Sequence, residues 1–123
     1  MFYASADQFR AWGREIFDAR RSARGGGRRR SKETESRRFK AFFGVKAERA
    51  SEVWSLLIGY KLLPPKSEPE HLLWALLFLK LYATEDVNAS LVGHDPDTVR
   101  KWTWLMVEAL HDLSKKLVSV FIN

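Results

Sequence analysis

The chain has 123 residues, of which 46% are hydrophobic and 29% charged, and this length and composition fit one compact domain with tails. Cysteine is absent, which excludes disulfides and thiolate metal sites, and the longest uncharged apolar run, residues 71–79, is far shorter than the roughly 20 residues that span a bilayer. The formal net charge of +6 favours an anionic partner such as nucleic acid.

The chain begins with a predicted amphipathic helix and a linker. Phe9, Trp12 and Ile16 recur at helical spacing, which predicts a helix over residues 5–21 with Trp12 on its exposed side. Three glycines and three arginines then fill residues 25–30. Because this run combines backbone freedom with charge repulsion, it predicts a disordered, flexible arm.

The excess positive charge is confined to a segment around this linker. Residues 20–40 hold ten basic and two acidic side chains, a net charge of +8, whereas residues 1–19 and residues 41–123 each carry a net charge of −1. The sequence therefore separates an N-terminal helix and basic linker, residues 1–33, from a nearly neutral helical domain, residues 34–123.

Two helices are expected to follow the linker. Order resumes near Thr34, and Gly44 is placed to end the first helix as a C-cap. Residues 47–60 form the second helix, because apolar side chains from Ala50 to Ile58 recur at the spacing of a buried stripe.

A capping motif and a leucine-rich run predict the central helix. Ser67 and Glu70 have the Ser-x-x-Glu spacing, in which the serine caps the backbone and the glutamate bonds back to it. The helix that they open, residues 69–82, is apolar on nearly every face, so we expect the other helices to surround it.

The last two predicted helices are separated by a short turn. A helix over residues 85–92 stops at Gly93, and Asp95 with Pro96 restarts the chain as N-cap and first helical residue. The final helix runs to about Leu117, and the apolar residues after it are either a fraying helix end or the start of a strand.

The segment around this turn has the spacing of a helix-turn-helix unit. Such a unit needs a small residue where two helices approach closely, a residue with positive φ in the turn, and apolar residues that pack the second helix on the first. These positions hold Ala89, Gly93, Val99 and Trp102, with Asp95 as the cap. We therefore predict an all-α helical bundle that contains a helix-turn-helix unit.

The outward face of the second helix supplies candidate DNA contacts. In the major groove, Arg100 is suited to a bidentate contact with guanine, and Lys101 and Thr98 to phosphates or base edges. The arm tracks phosphates, acts as a nuclear import signal, or is only a solvated linker. The candidate DNA-binding residues are Thr98, Arg100, Lys101, Trp104, Arg28, Arg29, Arg30 and Lys32.

Two residues fit the unit poorly. His94 occupies a position that is usually apolar, and Asp97 would face phosphates unfavourably. A short helix, a glycine turn and a capped helix also occur as plain scaffolding in helical bundles, so that interpretation stays open beside DNA recognition.

A set of short motifs is distributed over residues 40–116: Phe43-Gly44-Val45 with Val53-Trp54, Leu63-Pro64-Pro65, His71-Leu72-Leu73-Trp74 with Phe78-Leu79-Lys80, and Val92-Gly93 with Thr98-Val99-Arg100-Lys101-Trp102. Together these motifs resemble the N-terminal helical region of Harbinger-type transposases. In that family a helix-turn-helix region precedes an RNase H-like endonuclease domain, whose acidic DDE triad cuts and joins DNA with divalent metal. No RNase H-like strand series is evident in this sequence, so the resemblance implies DNA binding without the nuclease chemistry.

No catalytic, metal or cofactor site is predicted. Glu68 with His71, and Glu108 with His111, have the Glu-x-x-His spacing of di-iron bundles, but those sites also need an inward glutamate from each of two other helices. We expect a non-enzymatic protein that requires no cofactor.

Double-stranded DNA is the expected partner, and no membrane association is expected. A homo-oligomer or a partner protein is also allowed. We expect an intracellular protein, because no signal peptide is evident, and the nucleus as its location. The alternatives are a helical protein-interaction module that docks a partner through Trp104 and the apolar C-terminal tail, and the N-terminal piece of a full-length DDE transposase.

Overall fold

The computed structural model describes residues 3–18, 31–81, 89 and 93–122, and all regular secondary structure in these residues is helical. The prediction of an all-α fold is confirmed. Among the described helices, none is both long enough and apolar enough to cross a bilayer. The helices whose bounds lie within the described residues are α1 (Ala6–Asp18), α2 (Lys32–Phe43), α3 (Ala47–Gly59), α4 (Pro69–Leu81) and α5 (Pro96–Ile122).

Helix α4 is the centre of the bundle, as its apolar pattern predicts. It contacts each of the other four helices. Leu72, Leu73, Ala75 and Leu77 are almost completely buried, although they point to different sides of the helix. The hydrophobic burial along α4 therefore holds the other helices around one core.

Helix α2 begins at Lys32, two residues before the position where order is predicted to resume. Ser31 is its N-cap, and its Oγ accepts a hydrogen bond from the Thr34 N–H at 3.2 Å. At the other end Gly44 has a φ of +83° and donates its N–H to the Lys40 carbonyl, so the predicted glycine C-cap is confirmed. Helix α2 therefore includes Lys32 and Glu33, which were predicted to lie in the linker.

Helix α1 docks on α2 and α3 through its buried side. Phe9 is completely buried, and the guanidinium of buried Arg10 forms ion pairs with Asp7 and with Glu48 of α3, the latter at 2.6 Å. The hydrogen bond from Arg10 holds the pKa of Glu48 below its ordinary value. Trp12 is only partly exposed, and its ring packs against that of Phe9 with 5.4 Å between the ring centroids. The prediction that the Trp12 side chain is exposed is therefore wrong.

The predicted capping box at the start of α4 does not form. The Ser67 hydroxyl is buried and has no hydrogen-bond partner in the described part of the chain. The Glu68 N–H instead donates to Nδ1 of His71 at 3.0 Å. The imidazole of His71 therefore bonds back to the backbone before the helix, which is the role predicted for Glu70. Burial raises the pKa of Glu70.

Helix α5 continues to Ile122, so the residues after Leu117 are helical and the strand alternative is wrong. With 27 residues α5 is about 40 Å long, roughly twice the length of the other helices.

A small residue is required where α1 crosses α2. A Cβ added to Gly13 would lie 2.6 Å from the ring of Phe39 and 2.8 Å from that of Phe43, both fully buried. We expect Gly13→Ala to lower the free energy of unfolding by about 1–3 kcal/mol in urea denaturation, despite the better helix propensity of alanine.

The matched control is Gly59→Ala in the last turn of α3, where a Cβ meets no heavy atom within 4 Å. This variant should keep or raise the free energy of unfolding. Equal stability of the Gly13→Ala variant and the wild type would show that the helix crossing tolerates a side chain.

Candidate nucleic-acid interface

A left-handed turn precedes α5, as the helix-turn-helix spacing predicts. Gly93 has a φ of +77°, and its N–H donates to the Ala89 carbonyl at 2.9 Å. The N–H of His94 donates to the same carbonyl at 3.2 Å. Ala89 is helical and buried, whereas the remainder of the predicted helix over residues 85–92 lies outside the described residues. A side chain other than glycine at position 93 would be strained at this φ.

Asp95 caps the N-terminus of α5. Its carboxylate accepts the Thr98 N–H at 3.0 Å, and its carbonyl accepts the Val99 N–H at 3.1 Å. Hydrogen bonding from Thr98 holds the pKa of Asp95 below its ordinary value. Pro96 follows as the first helical residue, where a missing N–H costs nothing. Asp95 as N-cap and Pro96 as first helical residue are therefore confirmed.

The inner face of α5 is anchored on the core and on His71 of α4. Val99 and Met106 are almost fully buried. The ring of Trp102 stacks on the imidazole of His71 with 4.1 Å between centroids and 9° between planes. Val99 and Trp102 thus hold the first turns of α5 against the bundle, whereas their predicted packing on the helix over residues 85–92 lies largely outside the described residues.

Two further ring contacts join α4 to this region. Trp74 lies 4.8 Å from His94, and Phe78 lies 5.4 Å from Trp104. The contact with Trp74 accounts for the imidazole of His94 at a position where an apolar side chain is usual.

The outer face of α5 begins with the predicted contact residues. Arg100 and Lys101 are exposed, Thr98 is half-buried, and Trp104 retains 46% of its surface exposed. The Arg100 guanidinium pairs with Asp97 at 3.0 Å. The ammonium of Lys101 lies 5.2 Å from the ring centre of Trp102. Asp97, which was predicted to repel phosphates, is thus paired with Arg100 on the same surface.

The predicted arm residues Arg28, Arg29 and Arg30 lie outside the described residues. Lys32 is the first residue of α2. Within the basic segment, residues 20–40, the structure describes residues 31–40, and residues 32–40 belong to α2.

A basic groove between α2 and α4 was not predicted. It has a volume of about 670 Å³. Arg37 and Lys40 of α2 line it together with Lys80 of α4, and Phe43 and Leu76 contribute apolar surface. The Lys80 ammonium also donates to the carbonyl of Ala41 in the last turn of α2.

The sequence contained one signal for this groove. Arg37 and Lys40 are three residues apart and so lie on one face of the helix predicted to end at Gly44, whereas the approach of Lys80 to that face depends on the helix packing.

The residues set aside as metal ligands do not form a metal site. His71 uses its Nδ1 to accept the Glu68 N–H, and Glu108 and His111 are exposed. Within the described ranges, no group of three or more His, Cys, Asp or Glu side chains is placed to hold a metal ion.

Comparison of the chain with protein-family models, with curated proteins and with solved structures returned no match.

The contact between His71 and Trp102 makes stability depend on pH. Burial and the charge of nearby His94 lower the pKa of His71 from 6.5 to about 4. Since the folded state keeps the imidazole neutral while the unfolded chain binds a proton near pH 6.5, its contribution is full above that pH and is lost as the pH falls to about 4.

We expect the wild type to lose about 2 kcal/mol more of its free energy of unfolding than His71→Asn between about pH 7.5 and pH 5. The asparagine amide retains an acceptor for the Glu68 N–H. Urea denaturation at each pH measures the difference, and parallel pH profiles for the two proteins would contradict a buried neutral imidazole.

Proposed function

We propose that this chain binds double-stranded DNA through a helix-turn-helix unit whose recognition helix is the first part of α5. The turn is the observation that carries the proposal. Buried Ala89, Gly93 at positive φ and the Asp95 cap stand at the offsets that such a unit requires. The same backbone presents Arg100 and Lys101 on the exposed side of the helix.

Arg100 is able to exchange its partner on DNA. Its side chain and that of Asp97 are 53% and 86% exposed, and an ion pair at such a surface contributes only about 0–1 kcal/mol. A bidentate contact with guanine discriminates by about 1–3 kcal/mol. The larger gain on DNA therefore favours movement of the guanidinium from the carboxylate to the base edge.

The basic groove supports contact with the phosphate backbone. Arg37 and Lys40 are fixed on α2, close to Lys80 of α4. Fixed cations lose less conformational freedom on binding than cations on a flexible chain. In this proposal Arg28, Arg29 and Arg30, which precede α2 in the sequence, and Lys32, its first residue, add sequence-independent attraction.

The proposed relationship is to the binding region of Harbinger-type transposases, with DNA binding and no catalysis by this chain, and with the nucleus as the place of action. Core residues such as Trp54 and Val99 account for part of the motif resemblance, since burial alone constrains them. The exposed pair Arg100 and Lys101 supports a shared binding role, because packing does not require basic residues there.

Trp104 supports a second candidate function, a helical protein-interaction module. It is a large aromatic side chain with 46% of its surface exposed, and its ring is oriented by the contact with Phe78. Tryptophan at such a position is typical of interaction hot spots.

Arg100→Ala tests the recognition helix. On a duplex selected from a random-sequence pool by the wild type, we expect about a tenfold or greater loss of affinity, and a much smaller loss on unselected duplex. Fluorescence anisotropy measures both values. The matched control is Arg49→Ala, an exposed arginine paired with Glu52 three residues away on α3, which should retain wild-type affinity.

An equal loss on selected and unselected DNA would assign Arg100 to a phosphate. Failure of the wild type to bind any duplex at low salt would contradict the proposed function.

The double variant Arg37→Ala/Lys40→Ala tests the groove. The slope of log affinity against log salt concentration should become shallower by up to about 2, because each phosphate contact contributes roughly 0.9. The control Arg49→Ala/Lys116→Ala removes the same charge from other surfaces and should keep the wild-type slope. Identical slopes for the two double variants would remove the groove from the DNA interface.

A further inference from the structure

A straight stripe of exposed side chains runs along α5 beyond its first two turns. Trp104, Glu108, His111, Lys115 and Val118 follow one another at alternating spacings of four and three residues, and all five are exposed. At 3.6 residues per turn, this spacing keeps them within about 40° of one line along the helix. The solvent side of α5 thus carries a seam with the period of a coiled coil.

When two copies of this stripe run in opposite directions, apolar residues lie opposite apolar residues and acidic residues lie opposite basic residues. An apolar residue stands at each end, an acidic residue and a basic residue stand next to the ends, and His111 is at the centre. We propose that a second copy of this chain docks antiparallel on this stripe. In that register Trp104 meets the partner's Val118, and Glu108 meets the partner's Lys115.

Charge determines the orientation of the two copies. A parallel pair in register would place Glu108 against the partner's Glu108 and Lys115 against the partner's Lys115, which is unfavourable. Within one helix these two residues are seven positions, or about 10.5 Å, apart and therefore do not pair with each other. An antiparallel interface in this register places each of these charges opposite its complement.

The apolar ends of the stripe supply the anchors. Trp104 and Val118 are 46% and 53% exposed, although large hydrophobic side chains gain from burial. The ring of Trp104 contacts that of Phe78, with 5.4 Å between the ring centroids. The position of the Trp104 ring is therefore largely set before association. Because the interface is isologous, the contacts of Trp104 with the partner's Val118 and of Glu108 with the partner's Lys115 each occur twice.

The area limits the strength of this dimer. The stripe spans 14 residue steps, about 21 Å of helix, which is short compared with the standard interface of roughly 800 Å² per partner. We therefore expect a reversible dimer with a dissociation constant on the order of micromolar.

The dimer does not rest on the proposed DNA binding and is measured without DNA. The five residues of the stripe do not include Thr98, Arg100 or Lys101.

Charge reversal with rescue tests the register. In sedimentation equilibrium of the full chain, from low micromolar to several hundred micromolar, Glu108→Lys and Lys115→Glu should each weaken the dimer about tenfold or more. The double variant Glu108→Lys/Lys115→Glu should return within about threefold of the wild type, because the two ion pairs reform with opposite polarity.

The matched control is Lys116→Glu, which makes the same charge change one residue off the stripe and should leave the dimer intact. Trp104→Ala should reduce association about tenfold, with circular dichroism verifying that the helices persist. A wild type that stays monomeric throughout the concentration range would overturn the proposal. So would a double variant without rescue, or a Lys116→Glu variant as weak as Lys115→Glu.

Discussion

The contact between His71 and Trp102 fixes the direction in which α5 leaves the bundle. The Nδ1 atom of the imidazole accepts the Glu68 N–H, and the imidazole stacks on the indole of Trp102 with 4.1 Å between the ring centroids. One buried ring thus joins the start of α4 to the second turn of α5. Trp74 and Phe78 extend the contact along the same side of α4, through His94 and Trp104. The exposed face of α5 is determined by which of its residues these rings hold inward.

The features that depend on local backbone chemistry could be predicted from the sequence. Gly44 and Gly93 adopt positive φ, and Asp95 caps α5. These conformations could be predicted because each depends only on the residue itself and on its near neighbours in the chain. The all-α class followed from helical apolar periodicity, and the central place of α4 from apolar residues on nearly all of its faces.

The features that depend on distant residues could not be predicted. The bond back to the backbone comes from His71 and not from the predicted Glu70, and the ring of His71 stacks on Trp102, which is 31 positions further along the chain. The groove joins α2 to Lys80, about 40 residues away, so its shape required the helix packing. Trp12 is partly covered because α1 docks on the bundle, which its own short pattern did not reveal.

The length of α5 has a consequence for how two copies would read DNA. In the proposed antiparallel dimer, position 100 lies 11 residues from the centre at His111, so the two Arg100 positions would be about 33 Å apart along the helix pair. Half-sites one turn apart on B-DNA are separated by about 34–36 Å. Taken together, the two proposals make the length of α5 the quantity that would set the distance between the two recognition helices.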